Sequence, residues 1–158
     1  MYRKKADFLQ DWKIASKGTT RVLEALSDDT LGQAIAEGHN TLGWLGWHLA
    51  TAPAFFASQV GLKLKSVDAS QPVPAHASEI VEGYKTVAEE LKNEVEANLT
   101  DEMFLEEMDS FGKLVARGAM LRTLIDHQTH HRGQMTVLLR QAGLKVPGVM
   151  GPTKEDQE

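Results

Sequence analysis

The chain has 158 residues, 42% apolar and 25% charged, with a net charge of −5; this is the make-up of one globular domain able to bury a core, and residues 1–158 are read as a single domain. The acidic balance and a pI near 5.7 exclude the clustered basic face of a nucleic-acid binder. No apolar run reaches the roughly 18 residues of a transmembrane helix, and the lack of cysteine excludes disulfides, thiolate ligands and a cysteine nucleophile.

The first periodic segment covers about residues 5–26, where Phe8, Trp12, Ala15, Thr19, Val22 and Leu26 recur at steps of three and four. Ser27-Asp28-Asp29 breaks it, and a loop with Gly32, Gly38 and Asn40 follows. A second helix is predicted over about 41–60, capped by Asn40 or Thr41 and ended by Gly61. Its inner stripe is Leu42, Leu45, His48, Leu49, Ala52 and Phe56, and Pro53 predicts a kink or local break. Residues 62–77, with Ser66, Asp68, Ser70, Pro72 and Pro74, read as a long linker. A third helix is predicted over about 78–98, with Ile80, Tyr84, Val87, Leu91 and Val95 inside and a charged outer face.

Residues 99–114 suit either loop or short extended pieces, with a turn at Asp109-Ser110-Phe111-Gly112. The last helix is predicted over about 115–142, with Met120, Leu124, His127, His131, Met135 and Leu138 as its inner stripe. Gly143 stands just past its end, and Pro147 follows. The polar tail, 152–158, is expected to fray. The fold class is therefore all-α, a four-helix bundle with one long linker between its second and third helices.

Histidine spacing carries the chemistry. His127 and His131 are four residues apart, so their side chains share one helix face. Both fall in the same apolar stripe as Leu124 and Leu138, where a buried imidazole must find a partner or a metal. One core histidine is commonly satisfied by a hydrogen bond, but two on adjacent turns leave four ring nitrogens to place. His48 lies at the centre of a second apolar stripe and supplies a third nitrogen. Three protein ligands with an open position mark a catalytic or substrate-binding site rather than a structural one.

His130 is about 100° around the helix from His131 and is read as peripheral. His39 and His76 sit in loops and are expected in solvent. Gly133, inside a helix, is expected to serve close packing. Arg132 is expected off the metal face and paired with a carboxylate. Gln134 can orient a ligand or touch a substrate, and plain polar packing explains it equally well. Trp44 and Trp47 flank His48 and read as core or interface residues. The chain has no His-Glu-x-x-His, Gly-rich phosphate loop or Gly-x-Ser-x-Gly elbow, and its histidine helix lacks Glu-x-x-His. A three-histidine site without a built-in base points to Lewis-acid activation of a thiol, a water or a carbonyl.

The stretch from His127 to Pro147, opening His127-Gln128-Thr129-His130-His131-Arg132-Gly133-Gln134, resembles the last helix of the DinB/YfiT-like superfamily. Thr41-Leu42-Gly43-Trp44-Leu45-Gly46-Trp47-His48-Leu49 resembles that superfamily's second helix. The resemblance implies a four-helix bundle, often dimeric, with one divalent metal ion per chain, zinc or nickel, on His48, His127 and His131. It further implies a metal-dependent transferase that uses a low-molecular-weight thiol. A non-catalytic, stress-related metal-binding bundle and a metal-dependent hydrolase are the alternatives. No catalytic side chain is matched.

The expected partners are a small-molecule thiol or electrophile and a second copy of the chain, with neither nucleic acid nor membrane. The homodimer is also suggested by the number of large aromatics: Trp12, Trp44, Trp47, Phe55, Phe56 and Tyr84. The basic start from Met1 to Lys5 runs into a polar helix, so no signal peptide is expected and the location is read as cytoplasmic.

Overall fold

The computed structural model describes residues 1–157. The four amphipathic segments form helices α1 (Lys5–Glu24), α2 (Leu42–Gln59), α3 (Ala77–Asn98) and α4 (Arg117–Gln141). α1 and α2 each pack against both α3 and α4, so α1 stands diagonally opposite α2.

The core has two halves, and their membership gives the helix directions. One half takes Phe8 and Trp12 from the start of α1, Phe56 from the end of α2, Leu91 and Val95 from the end of α3, and Leu121 and Leu124 from the start of α4. The other takes Val22 and Leu23, Leu42 and Leu45, Ile80 and Tyr84, and Leu138 and Leu139. α2 and α3 therefore run parallel, and the long linker returns the chain along the bundle between them. The four-helix bundle and its linker are as the sequence predicts. No helix among the described residues is long and apolar enough to cross a membrane.

Thr41 caps α2, its Oγ1 accepting from the Trp44 N–H at 3.2 Å. α1 and α3 are capped from a distance. The Lys5 N–H donates to Asp101 Oδ1 at 2.8 Å and the Ala77 N–H to Asp28 Oδ1 at 2.7 Å. Asp28 also pairs with His76 Nδ1 at 2.8 Å, a contact that holds its carboxyl below the usual carboxylate range.

The ambiguous stretch before α4 does contain extended pieces, β1 (Glu107–Ser110) and β2 (Lys113–Ala116), paired antiparallel with Ser110 opposite Lys113. The turn lies one residue later than expected, with Phe111 (φ 54°) and Gly112 (φ 78°) both left-handed. Two such residues make the tight hairpin turn whose twist matches the strands.

α2 runs unbroken through Pro53. Proline has no N–H, so the Leu49 carbonyl one turn back has no helical partner. Gln128 supplies one, its Nε2 donating to that carbonyl at 3.3 Å. Gln128 is fully buried, and its Oε1 accepts from Thr19 Oγ1 at 2.9 Å and the Tyr84 hydroxyl at 3.1 Å. One amide thus ties all four helices together between the two halves of the core.

Close packing is served by other glycines, Gly46 and Gly118 among them, and not by Gly133. A Cβ on Gly46 would stand 3.1–3.3 Å from Ile80, Leu23 and Leu26, and one on Gly118 would stand 1.9 Å from the Tyr2 carbonyl oxygen. A Cβ on Gly133 would meet nothing within 4 Å. Gly143 ends α4 in the left-handed region, as expected. The polar tail, predicted to fray, holds a 3-10 turn over Lys154–Asp156 with Glu155 forked onto Arg140 at 2.7 and 3.1 Å. Its last residue, Glu158, lies outside the described residues.

Candidate metal centre

The three histidines singled out by spacing meet at mid-bundle, on the seam between α2 and α4. One ring nitrogen from each of His48, His127 and His131 lies within 4.8 Å of the others, and the three can hold a metal ion. No further His, Cys, Asp or Glu joins the group among the described residues. His48 and His127 face each other Nε2 to Nε2 at 3.0 Å.

The proteinaceous contacts leave this cluster incompletely satisfied. A hydrogen bond between two Nε2 atoms needs a proton on one of them, whereas a shared ion takes a lone pair from each. Two nitrogens bound tetrahedrally to one zinc at about 2.0–2.1 Å would stand about 3.3 Å apart. The donor set therefore fits a divalent ion.

Gln134 fixes one ligand orientation. Its Oε1 lies 2.6 Å from His131 Nδ1. An amide oxygen only accepts, so Nδ1 carries the proton and Nε2 keeps its lone pair for the cluster. An outer-shell acceptor on the far nitrogen of a histidine is the usual support of a metal site.

Aromatic rings close the flanks. Trp44 stacks on His48 with centroids 4.8 Å apart and planes 15° apart, while Phe56 sets its edge against His127 at 5.3 Å. Burial and mutual repulsion push all three imidazoles below the ordinary histidine value, His127 down to about 4. For His131 burial leads, with His130 adding repulsion and Gln134 acting the other way. Near neutral pH the triad is uncharged, the form a metal requires.

The competing histidines stay outside. His130 is exposed and only touches His131 edge-on, with ring centroids 4.9 Å apart. His76 caps onto Asp28, and His39 borders a cavity of about 300 Å3 together with Gln134 and Val137.

Two expectations are corrected. His127 and His131 are only half-buried; the residues facing the core at that height are Gln128 and Arg132. Both are polar, so a stripe drawn through apolar residues passes over them, although 121, 124, 128, 132, 135 and 139 keep helical spacing as well. Arg132 also pairs with no carboxylate among the described residues; it donates to the Ala15 carbonyl and to the hydroxyls of Thr19 and Thr129.

Known proteins share this sequence and fold over nearly the whole chain. An uncharacterised Bacillus subtilis (strain 168) protein, YrdA, is 36% identical over 156 residues, spanning 99% of this chain and 93% of its own. A crystal structure of a DinB-like protein from Bacillus cereus ATCC 10987 superposes with a TM-score of 0.90 at 43% identity, covering 94% of this chain and 99% of that one. The DinB-like protein YjoA of Bacillus subtilis superposes with a TM-score of 0.73 at 25% identity, covering 93% and 99%. A family model described as the DinB family matches residues 1–158, and with this fold and these relatives the chain belongs to the DinB family.

Proposed function

We propose that the chain binds one divalent ion, zinc or nickel, through His48, His127 and His131, and acts as a transferase on a low-molecular-weight thiol. The observation that carries this reading is a three-nitrogen cluster with no fourth acidic, thiol or imidazole ligand among the described residues. A structural site closes with four ligands, whereas three leave room for a reacting group. A bound divalent ion supplies a Lewis acid that lowers the pKa of a thiol in its open position.

The chain's own residues do the rest. Gln134 holds the His131 tautomer. Trp44 and Phe56 keep water from the flanks of His48 and His127 and lend an apolar wall to an incoming thiol. No carboxylate stands in the cluster to take a proton from water, which favours a thiol over hydrolysis.

Metal analysis of the purified protein, followed by a screen of small thiols against electrophiles, tests the reading. About one ion per chain and thiol consumption that stops on chelation are expected. A loaded protein inert toward every thiol leaves the non-catalytic metal-binding bundle as the better reading.

The proposed assembly is a homodimer. Trp12, Phe56 and Tyr84 are core residues, but Trp44, Phe55, Phe111 and Leu114 stay exposed, with Phe55 stacked on Phe111 at 6.3 Å. Interfaces favour such residues. Sedimentation at micromolar concentration should give about twice 17.4 kDa, and a value near 17.4 kDa rejects the dimer.

A further inference from the structure

α4 carries a second polar face, turned toward α1, that the metal reading does not use. Arg132 is only 5% exposed. Its Nη1 donates to the Ala15 carbonyl at 3.0 Å and Thr19 Oγ1 at 3.1 Å, and its Nη2 to Thr129 Oγ1 at 3.0 Å. All three acceptors are neutral. A buried guanidinium without a counter-charge is costly, and proteins ordinarily pair it. Arg140, two turns on, is paired with Glu155. Arg132 has no such partner among the described residues.

The Nε–H of Arg132 is also free of any protein acceptor, yet it is not sealed in; the one sealed, unpartnered side-chain atom among the described residues is His127 Nδ1. Arg132 borders a cavity of about 430 Å3 between α4 and the segment 146–153. Val146, Val149 and Met150 give that cavity apolar walls. The size lies within the range of small-molecule sites.

A second observation points to the same cavity. Gly133 lines it, and a Cβ there would touch nothing within 4 Å. Glycine is the poorest helix former after proline, and no close helix contact accounts for it here. What a side chain at 133 would do is fill the cavity.

We propose that this cavity binds a small monocarboxylate with an apolar body. The carboxylate accepts from the free Nε–H of Arg132 and brings the buried guanidinium the counter-charge it lacks. The hydrocarbon lies against Val146, Val149 and Met150. The site is independent of the histidine cluster, which faces α2 rather than α1.

Thermal unfolding of the purified protein with sodium hexanoate, 1-hexanol or sodium phosphate tests this. Hexanoate at about ten times its dissociation constant should raise the midpoint by roughly 3–6 °C, whereas hexanol and phosphate at the same concentration should not. Gly133→Leu, which keeps a good helix former at that position, should fill the cavity and abolish the hexanoate shift. Arg132→Met should abolish it too; if that variant does not fold, the leucine variant decides. The proposal fails if hexanoate gives no shift, if hexanol or phosphate matches it, or if the shift survives in Gly133→Leu.

Discussion

Gln128 on α4 hydrogen-bonds the Leu49 carbonyl of α2, at 3.3 Å, at the one place where Pro53 leaves a helical acceptor without its donor. A proline in mid-helix and a glutamine in the core are each unfavourable alone. Together they satisfy each other, and the same amide accepts from Thr19 and Tyr84. Burial of that Tyr84 hydroxyl pushes its pKa upward, so it stays a donor.

Gln128→Leu should therefore destabilise by about 2–4 kcal/mol, since it strands at least the Leu49 carbonyl and the Tyr84 hydroxyl. The unfolding midpoint should fall by roughly 5–15 °C. Pro53→Ala restores the missing N–H, so it should recover part of this loss in the Gln128→Leu background. Strict additivity of the two substitutions would show that they do not share the Leu49 carbonyl.

Local rules made the helices and the histidine set legible. The steps of three and four gave all four helices, and the i,i+4 pair with a lone histidine on another apolar stripe gave the cluster that forms. Relationships between distant residues were hidden. Asp28 and Asp101 cap helices 49 and 96 residues away, and no local motif announces them. Gln128 and Arg132 face inward although they are polar, because their partners lie on α1, α2 and α3. Gly133 and Gly118 look alike in sequence, and only the backbone that crosses Gly118 tells them apart.

Those two glycines should respond oppositely to alanine. Gly133→Ala should stabilise by about 1 kcal/mol, the helix-propensity difference, because its Cβ meets nothing. Gly118→Ala must displace the Tyr2 backbone, whose oxygen lies 1.9 Å from the new Cβ, and should destabilise by more than about 1 kcal/mol. Chemical denaturation of both variants checks this, and a shift of the same sign in the two would count against the packing difference.

Acid should act on the histidine cluster below the range expected of free imidazole. His48, His127 and His131 are all depressed, by burial first, and His127 lies at about 4 against an ordinary 6.5. Between those two values the unfolded chain binds more protons than the folded one, so stability rises with pH there. His127 thus contributes stability that is present above about pH 6.5 and lost as pH falls toward about 4. Metal occupancy should follow these depressed groups, falling at a pH below the ordinary histidine range as protons take the nitrogens. Metal content after dialysis across this range reads it directly, and half-loss already above pH 6.5 would contradict the depressed values.

The ligand assignment separates His130, His131 and Gln134 of α4 sharply. His131 offers Nε2 to the cluster, while His130 lies outside it and Gln134 acts only through the 2.6 Å contact to His131 Nδ1. His131→Ala should remove most metal, and His130→Ala should leave the content near that of the unaltered protein. Gln134→Ala keeps all three ligands but frees the His131 ring, so affinity should fall roughly 10–100-fold, the usual effect of losing an outer-shell acceptor. Gln134→Glu retains an acceptor at the same reach and should restore most of that loss. Competition against a chelator of known affinity measures all four variants. Equal losses from His130→Ala and His131→Ala would overturn the ligand set, and an unchanged affinity in Gln134→Ala would show that the His131 ring is held by packing alone.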